Sequence, residues 1–261
     1  MQLLQRGLRS VVCTAIILLT PVAVRADAIT VMTSGALSAA LRELMPAFER
    51  RSGSTLTIVS GGSVAGARDS IPDRLGRGER ADVVMLAAAG IDDLIKAGRV
   101  VAGSRVDLAR SSIGIAVRAG APKPDISSVD ALKRALLQAA SVAYSSSVSG
   151  VYVSSELFER LGIATQMRAK SRRVESEPVA ALVARGDVEI GFQQISELRP
   201  VAGVEVVGPL PAEVQRVTVF AAALAAGSLN PAGGRALMAF LASPEAADAI
   251  ARSGMDPVHP R

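Results

Sequence analysis

The chain is 261 residues long; 49% of its residues are hydrophobic and 3% aromatic, with no Trp and one Cys. This composition supplies a large hydrophobic core without disulfides, and the length predicts one large domain or two lobes. The formal net charge is +5, but no run of Lys and Arg, and no mixing of basic with aromatic residues, indicates a nucleic-acid-binding protein.

Residues 1–26 have the pattern of a cleaved export signal. Arg6 and Arg9 form a basic start, an apolar run follows from Val11 to Val24, and Val24-Arg25-Ala26 supplies the small residues that a signal peptidase reads. Because this run has about 14 residues and a membrane-spanning helix needs about 20, a retained anchor is the weaker alternative. We expect a mature protein that works outside the cytoplasm and is not embedded in the membrane.

Removal of the signal changes both the charge and the available chemistry. It takes away three arginines and no acid, so the net charge falls from +5 to +2. Cys13 leaves with the signal, which excludes disulfides, thiolate catalysis and cysteine-bound metal. His259 is close to the C-terminus, where we expect a solvated tail residue rather than the base of a Ser-His-Asp triad. We expect neither a metal nor a cofactor.

The remaining chain alternates short β-branched runs with amphipathic helical patterns. In the first half these patterns predict strands at residues 28–34, 55–63 and 81–87, and helices at 37–53 and 91–100. This β-α-β-α-β order is typical of a parallel sheet covered by helices.

A second unit of similar size begins with a strand at residues 111–117 and a proline-rich turn. The patterns then predict, in chain order, a helix at 128–139, a strand at 141–145, helices at 154–163 and 178–187, and a strand at 188–194. The chain closes with a strand at 215–224 and two helices within 230–254. The fold class predicted from this order is α/β.

Polar turns follow four of the predicted strands. They are Thr33-Ser34-Gly35, Ser60-Gly61-Gly62-Ser63, the stretch from Ser145 to Gly150 that includes Ser147 and Ser149, and Gln193-Gln194. Ligands of open α/β sheets bind beyond the carboxyl ends of the strands. Ser/Gly turns that lead into helices offer free backbone N–H groups, hydroxyl donors and a positive helix end. Together these turns predict a site for a small anion.

Each turn also has an ordinary structural explanation. Ser and Gly at a single strand-to-helix junction are commonly an N-cap and a tight turn. Tyr144 and Tyr152, on either side of the serine stretch, are equally well explained by packing in the core. The recurrence of one chemistry at three strand ends is what favours a binding site.

Several segments carry a resemblance to a known family. These are VMTSGALSAALRELMPAFERRSG, SGGS, GRGERADVVML and DDLIKAGRV, together with the later SGVYVSSELFERLGI and PVAALVARGDVEIGF. With the export signal, they make residues 28–256 resemble periplasmic solute-binding proteins of the molybdate-binding type. These are type II binding proteins of ABC transporters.

The resemblance implies a two-lobed type II periplasmic-binding-protein fold. Each lobe would be a mixed or parallel sheet flanked by helices, with the ligand cleft between the lobes and closure by hinge motion. Lobe 1 would comprise residues 27–109 plus 215–261, and lobe 2 residues 110–214. Residues 111–117 and 216–222 would be the two crossing strands.

The family's binding pattern maps onto named positions of this chain. It implies ligand contacts from the hydroxyls of Ser34 and Ser63, the backbone amides of Ser149 to Val151, including Gly150, and the amide of Val179. Where the family pattern has a tyrosine, this chain has Gln194. Because an amide both donates and accepts hydrogen bonds, this departure favours an organic carboxylate over molybdate or tungstate.

Two functions follow from the resemblance. The first is a monomeric binding protein that captures a small anion, expected to be an organic carboxylate, for an ABC permease. The second is a cofactor-free aconitate isomerase, because a branch of the family catalyses the interconversion of cis- and trans-aconitate. Isomerisation needs a general base and donors that stabilise enolate-like charge.

For the isomerase, Tyr144, Tyr152 and Glu177 are the candidate bases, and Arg68 is a candidate partner for a substrate carboxylate. Binding is the preferred hypothesis at this point. The ligand-binding set predicted from the sequence comprises Ser34, Gly35, Gly62, Ser63, Arg68, Ser147, Ser149, Gly150, Val151, Tyr152, Val179, Gln193 and Gln194.

Overall fold

The computed structural model describes residues 27–175 and 177–258. The predicted export signal, Cys13 and His259 lie outside these residues. Within the described ranges, no helix combines the length and the apolar character needed to cross a membrane.

Within residues 27–175 and 177–258, ten strands form one mixed sheet whose main path runs β2-β1-β3-β9-β4-β7-β5-β6, with β8 and β10 also paired to β4. The strands are β1 Ala28–Thr33, β2 Thr55–Ser60, β3 Val83–Ala87, β4 Val106–Arg118, β5 Val142–Ser145, β6 Ser171–Val174, β7 Ile190–Gln194, β8 Val204–Pro209, β9 Val217–Leu224 and β10 Asp256–Pro257.

The main helices lie between these strands and pack on the sheet. They are α1 Gly35–Ser52, α2 Ile71–Gly76, α3 Ala88–Lys96, α4 Val129–Gln138, α5 Val148–Tyr152, α6 Phe158–Arg160, α7 Ala164–Arg168, α8 Val179–Arg185, α9 Ile195–Leu198, α10 Pro231–Leu241 and α11 Pro244–Ser253. A π-helical turn, Val153–Leu157, joins α5 to α6. The predicted α/β class is confirmed.

β4 belongs to two parts of the sheet. Its first half pairs antiparallel with β9, from Val106 to Ser112. Its second half pairs antiparallel with β7 and β8, from Ile113 onward. The parallel pairs β1–β2 and β1–β3 lie on one side of it and β5–β6 and β5–β7 on the other.

The hydrophobic core is divided in the same way. One set of buried side chains comes from residues 29–109 and 220–255, with Ile29, Leu41, Val83 and Leu237 at its centre. The other comes from residues 113–214 and includes Ile115, Leu132 and Phe192. We call them the first core and the second core; β4 is a strand of both.

Some elements differ from those predicted. β6 and β8 were not predicted. SRRV lacks the apolar alternation of a half-buried strand, and the structure shows both strands only partly buried. Helix α1 begins at Gly35, two residues before the predicted start, so that Ser34 is its N-cap. Helix α5 begins inside the serine stretch, at Val148.

Candidate functional site

A cavity of about 340 Å³ lies between the residues of the two cores, and we call it the cleft. Most of its lining residues lie at or beyond the carboxyl ends of parallel strands, on both sides. From the side of the first core they are Ser34, Gly35, Ala36, Ser60, Gly61, Gly62, Ser63, Asp69 and Phe220. From the side of the second core they are Ser145, Ser146, Ser147, Val148, Val174, Glu175, Glu177, Pro178, Gln193, Gln194 and Glu197.

Strand register explains why these turns meet. β1 and β2 pair in parallel with Thr33 opposite Ser60, so the turns that begin at Ser34 and Gly61 are neighbours. β5 and β7 pair in parallel with Tyr144 opposite Phe192, which brings the serine stretch beside Gln193 and Gln194. Since β4 carries both halves of the sheet, the two pairs of turns face the same cleft.

The wall on the first-core side presents hydroxyls that have no protein partner. Ser34 is 5% exposed and Ser63 is 9% exposed. Among the described residues, neither hydroxyl makes a hydrogen bond. Ser34 caps α1 without a side-chain cap bond, so the positive N-terminus of an 18-residue helix opens on the cleft. Buried polar groups are normally hydrogen-bonded, so these hydroxyls indicate a polar ligand.

The serine stretch is tightly folded on the opposite wall. The hydroxyl oxygens of Ser145 and Ser147 are 2.6 Å apart, and that of Ser149 lies 3.2 Å from Ser147. Gly150 permits this fold, because a Cβ built there would lie 1.6 Å from the carbonyl oxygen of Ser145. The first half of the stretch, Ser145 to Val148, lines the cleft.

The predicted backbone donors of the second half lie further from the cleft. The Val151 amide donates to the Ser147 carbonyl over 2.9 Å inside α5, so it is engaged within the helix. Ser149 and Gly150 are buried behind the lining residues. Val179 is fully buried and follows the lining residue Pro178.

Gln193 and Gln194 end β7 and line the cleft. The Gln193 side chain donates to Glu197 Oε1 over 3.1 Å, and that of Gln194 donates to Thr218 Oγ1 over 3.4 Å. Within the described part of the chain, neither amide oxygen has a partner. Both side chains are thus fixed through their NH2 groups and present a free acceptor.

Glu197 is a residue of the cleft that the sequence analysis missed, as are Asp69 and Glu175. It lies in α9, directly after β7, and its carboxyl rests where a side chain at position 35 would be: a Cβ built on Gly35 would lie 2.0 Å from Oε1. Burial raises the pKa of Glu197 to about 7, against hydrogen bonds from the Gln193 side chain and the Gln194 backbone that lower it. Gln193 lies in β7 and Glu197 in α9, so no helical spacing relates the two residues and the sequence carried no local signal for their contact.

The candidate bases named from the sequence lie elsewhere or are paired. The Tyr152 hydroxyl donates to the Val214 carbonyl over 2.6 Å, and Arg216 stacks on its ring. Tyr144 packs edge-on against Phe158. Neither tyrosine is a lining residue of the cleft. Glu177 does line it, with its carboxylate 3.0 Å from Arg185 Nη1.

The charged lining residues of the cleft are all acidic: Asp69, Glu175, Glu177 and Glu197. Arg68 is exposed and lines an adjoining cavity, not the cleft itself. In the described ranges, no group of three His, Cys, Asp or Glu side chains is arranged to hold a metal ion. The free donors of the cleft are hydroxyls and a helix N-terminus, which suit an anion held by hydrogen bonds.

Comparison with known structures identifies the architecture. The periplasmic molybdate-binding protein of Azotobacter vinelandii superposes with a TM-score of 0.70 at 21% identity, over 87% of this chain and 98% of that one. The sulfate-binding protein of Mycobacterium tuberculosis superposes with a TM-score of 0.68 at 19% identity, over 90% and 88% of the two chains. The predicted two-lobed type II periplasmic-binding-protein fold is confirmed.

Sequence comparison gives a nearer relative. The chain is 46% identical over 230 residues to an aconitate isomerase of a Pseudomonas species, covering 88% of each chain. The resemblance predicted from the sequence, including the isomerase branch, is confirmed. Residues 29–256 also match the family described as bacterial extracellular solute-binding protein. This chain belongs to the bacterial extracellular solute-binding protein family.

Proposed function

We propose that the protein isomerises an unsaturated polycarboxylate of the aconitate type, with Glu197 as the group that moves the proton. The observation that carries this proposal is the Glu197 carboxyl, held in the cleft beside donors suited to a carboxylate, with a pKa of about 7. A general base is most effective when its pKa lies near the working pH. The 46% identity to an aconitate isomerase supports the same chemistry.

The reaction is a proton transfer between two carbons. The Glu197 carboxylate takes a proton from the methylene carbon of aconitate, and the electron pair of that C–H bond spreads over the adjoining double bond and carboxylate. The protonated Glu197 then returns the proton to the former vinyl carbon, and the double bond lies one carbon further along. Because the new double bond forms where a rotatable single bond was, cis and trans products both arise. No electrons are gained or lost.

The donors of the cleft stabilise the intermediate. The negative charge spreads onto a carboxylate of the substrate, and the Ser34 and Ser63 hydroxyls and the N-terminus of α1 are the donors that face it. The free acceptors of Gln193 and Gln194 suit a protonated carboxyl or an ordered water.

We place the protein in the periplasm and its hinge at β4. The lobe boundaries that we propose remain 109/110 and 214/215, supported by the division between the first and second cores. A cleft between two lobes that close on a ligand excludes water from the proton transfer.

Binding and delivery of a carboxylate to an ABC permease is the second candidate function. Membership of a solute-binding family favours it. The two candidates share the cleft and differ in turnover, so one measurement separates them.

The test uses purified mature protein with trans-aconitate, followed by proton NMR in D2O. Isomerisation predicts conversion to cis-aconitate with deuterium at the migrating position, and Glu197→Gln should abolish both while still binding the substrate. Glu213→Gln, an exposed carboxylate outside the cleft, is the matched control. Binding without turnover by the unmodified protein refutes the isomerase and supports delivery. Loss of turnover in Glu177→Gln, with turnover kept in Glu197→Gln, refutes the assignment of the base.

Ligand class is tested by thermal stabilisation. A ligand that binds only the folded state raises the midpoint of unfolding. We expect trans-aconitate to raise it and molybdate or tungstate to leave it unchanged. Stabilisation by the oxyanions alone contradicts the preference for carboxylates.

A further inference from the structure

A second cavity, of about 640 Å³, adjoins the cleft and shares Asp69 and Glu175 with it. Its remaining charged lining residues are all cationic: Arg68, Arg74, Arg77 and Arg173. The cleft itself is lined by acids and by no Arg or Lys among the described residues. Acidic residues therefore line the cleft, and arginines line the cavity that adjoins it.

Two of these arginines, Arg74 and Arg77, are bonded to other groups of the protein. Arg74 pairs with Glu79 and donates to the Ser60 carbonyl over 2.9 Å. Arg77 Nη2 donates to the backbone carbonyl of Arg68 over 2.6 Å. These bonds fix the chain that leads from the cleft to Arg68.

The other two arginines are available to a ligand. Among the residues that the structure describes, the Arg68 side chain makes no hydrogen bond or ion pair. Arg173 makes a loose ion pair with Glu175 at 3.6 Å, and both side chains are more than half exposed. Arg68 follows β2 on the first-core side, and Arg173 lies in β6 on the second-core side. A ligand that contacts both therefore bridges the cleft.

A tricarboxylate in the cleft needs these cations. One carboxylate can occupy the donor turns, but the acids Asp69, Glu175 and Glu177 repel the others. Guanidinium groups bind carboxylates in a bidentate manner and so offset this repulsion.

We propose that Arg68 and Arg173 form a carboxylate subsite that selects tricarboxylates over smaller acids and draws the two halves of the cleft together. This inference rests on the proposed substrate class, but it does not require turnover.

The test is calorimetric binding of trans-aconitate and of itaconate, which has the same unsaturated skeleton with one carboxylate fewer. Arg68→Gln and Arg173→Gln should each weaken trans-aconitate binding about tenfold, as expected for a lost charge-assisted hydrogen bond. Itaconate binding should change less than about twofold, because it lacks the carboxylate that the subsite holds. Arg235→Gln, an exposed substitution in α10, is the control and should alter neither. In the kinetic assay the same loss should appear as a lower kcat/KM for trans-aconitate.

The outcomes separate the two proposals. Unchanged trans-aconitate affinity, or equal weakening of both ligands, overturns the subsite even if the protein turns over aconitate. Selective weakening without turnover in the unmodified protein supports the subsite and overturns the isomerase. If the unmodified protein binds neither acid, both proposals are wrong.

Discussion

Gln193 Nε2 lies 3.1 Å from Glu197 Oε1, and this hydrogen bond holds the Glu197 carboxyl against Gly35 in the cleft. The donor stabilises the charged carboxylate, while burial favours the neutral acid. The pKa of about 7 is the balance of the two. Each side of this balance can be changed separately by substitution.

Removal of the donor should shift the pH dependence of isomerisation. In Gln193→Met, which keeps the length of the side chain, the carboxylate loses a partner and the pKa of Glu197 rises. The acidic limb of the rate profile should move up by about one pH unit, the equivalent of one net hydrogen bond. The measurement is initial rate between pH 5 and 9. An unchanged limb accompanied by a lower plateau would mean that Gln193 does not act through Glu197.

The same balance makes a prediction for stability. The folded pKa of Glu197, about 7, lies above its ordinary value of 4.5, so the folded state binds this proton more tightly than the unfolded state. The stability that the neutral Glu197 carboxyl contributes is fully present below pH 4.5 and is lost as the pH rises to about 7. Glu197→Gln stays neutral throughout. Its free energy of unfolding should therefore exceed that of the unmodified protein by about 3 kcal/mol at pH 8 and equal it at pH 4.

Urea unfolding at the two pH values measures this difference. Arg235→Gln, an exposed substitution in α10, should show the same difference from the unmodified protein at pH 4 and pH 8. A Glu197→Gln advantage of equal size at both values contradicts a raised pKa.

Gly35 should be required for the position of Glu197. Ala at this position places a Cβ 2.0 Å from Oε1, and the end of a flexible side chain is the group that moves. Gly35 begins α1 with no positive φ, so Ala costs the helix nothing. We expect kcat to fall by about 100-fold, the effect of displacing a reacting group by about 1 Å, with no loss of thermal stability. Gly76→Ala, with open space around the Cβ, is the control. Undiminished turnover in Gly35→Ala would contradict the role of Glu197.

Much of the cleft follows from local patterns in the sequence. Strand ends and Ser/Gly turns predicted the positions of Ser34, Ser63 and Ser147, which line the cleft. Such turns are recognisable because glycine and small hydroxyls are required where a strand turns into a helix. Gln193 and Gln194 were recognisable for a related reason, as polar residues at the end of a buried strand.

Glu197 was not recognisable in the same way. A carboxylate in a short helix is usually solvated. The partial burial of Glu197 depends on Gly35, which is far away in the sequence and adjacent only after β1 and β7 are placed. Tyr152 is the opposite case. Its position beside the serine stretch suggested a ligand contact, but the helix turns its hydroxyl toward Val214. The positions of the Glu197 carboxyl and the Tyr152 hydroxyl both depend on the tertiary structure and not on the local sequence.

The close packing of the serine stretch gives the last prediction. In Gly150→Ala the new Cβ would lie 1.6 Å from the Ser145 carbonyl oxygen, a backbone atom that cannot rotate aside. The stretch must then open, which should cost about 1–3 kcal/mol of stability, as for other overpacked sites. The cleft should lose affinity for trans-aconitate as well, because Ser145 to Val148 line it. Gly227→Ala, where a Cβ meets nothing within 4 Å, should change neither property. A Gly150→Ala protein with the unmodified midpoint of unfolding and the unmodified affinity would show that the stretch is not the rigid wall of the cleft.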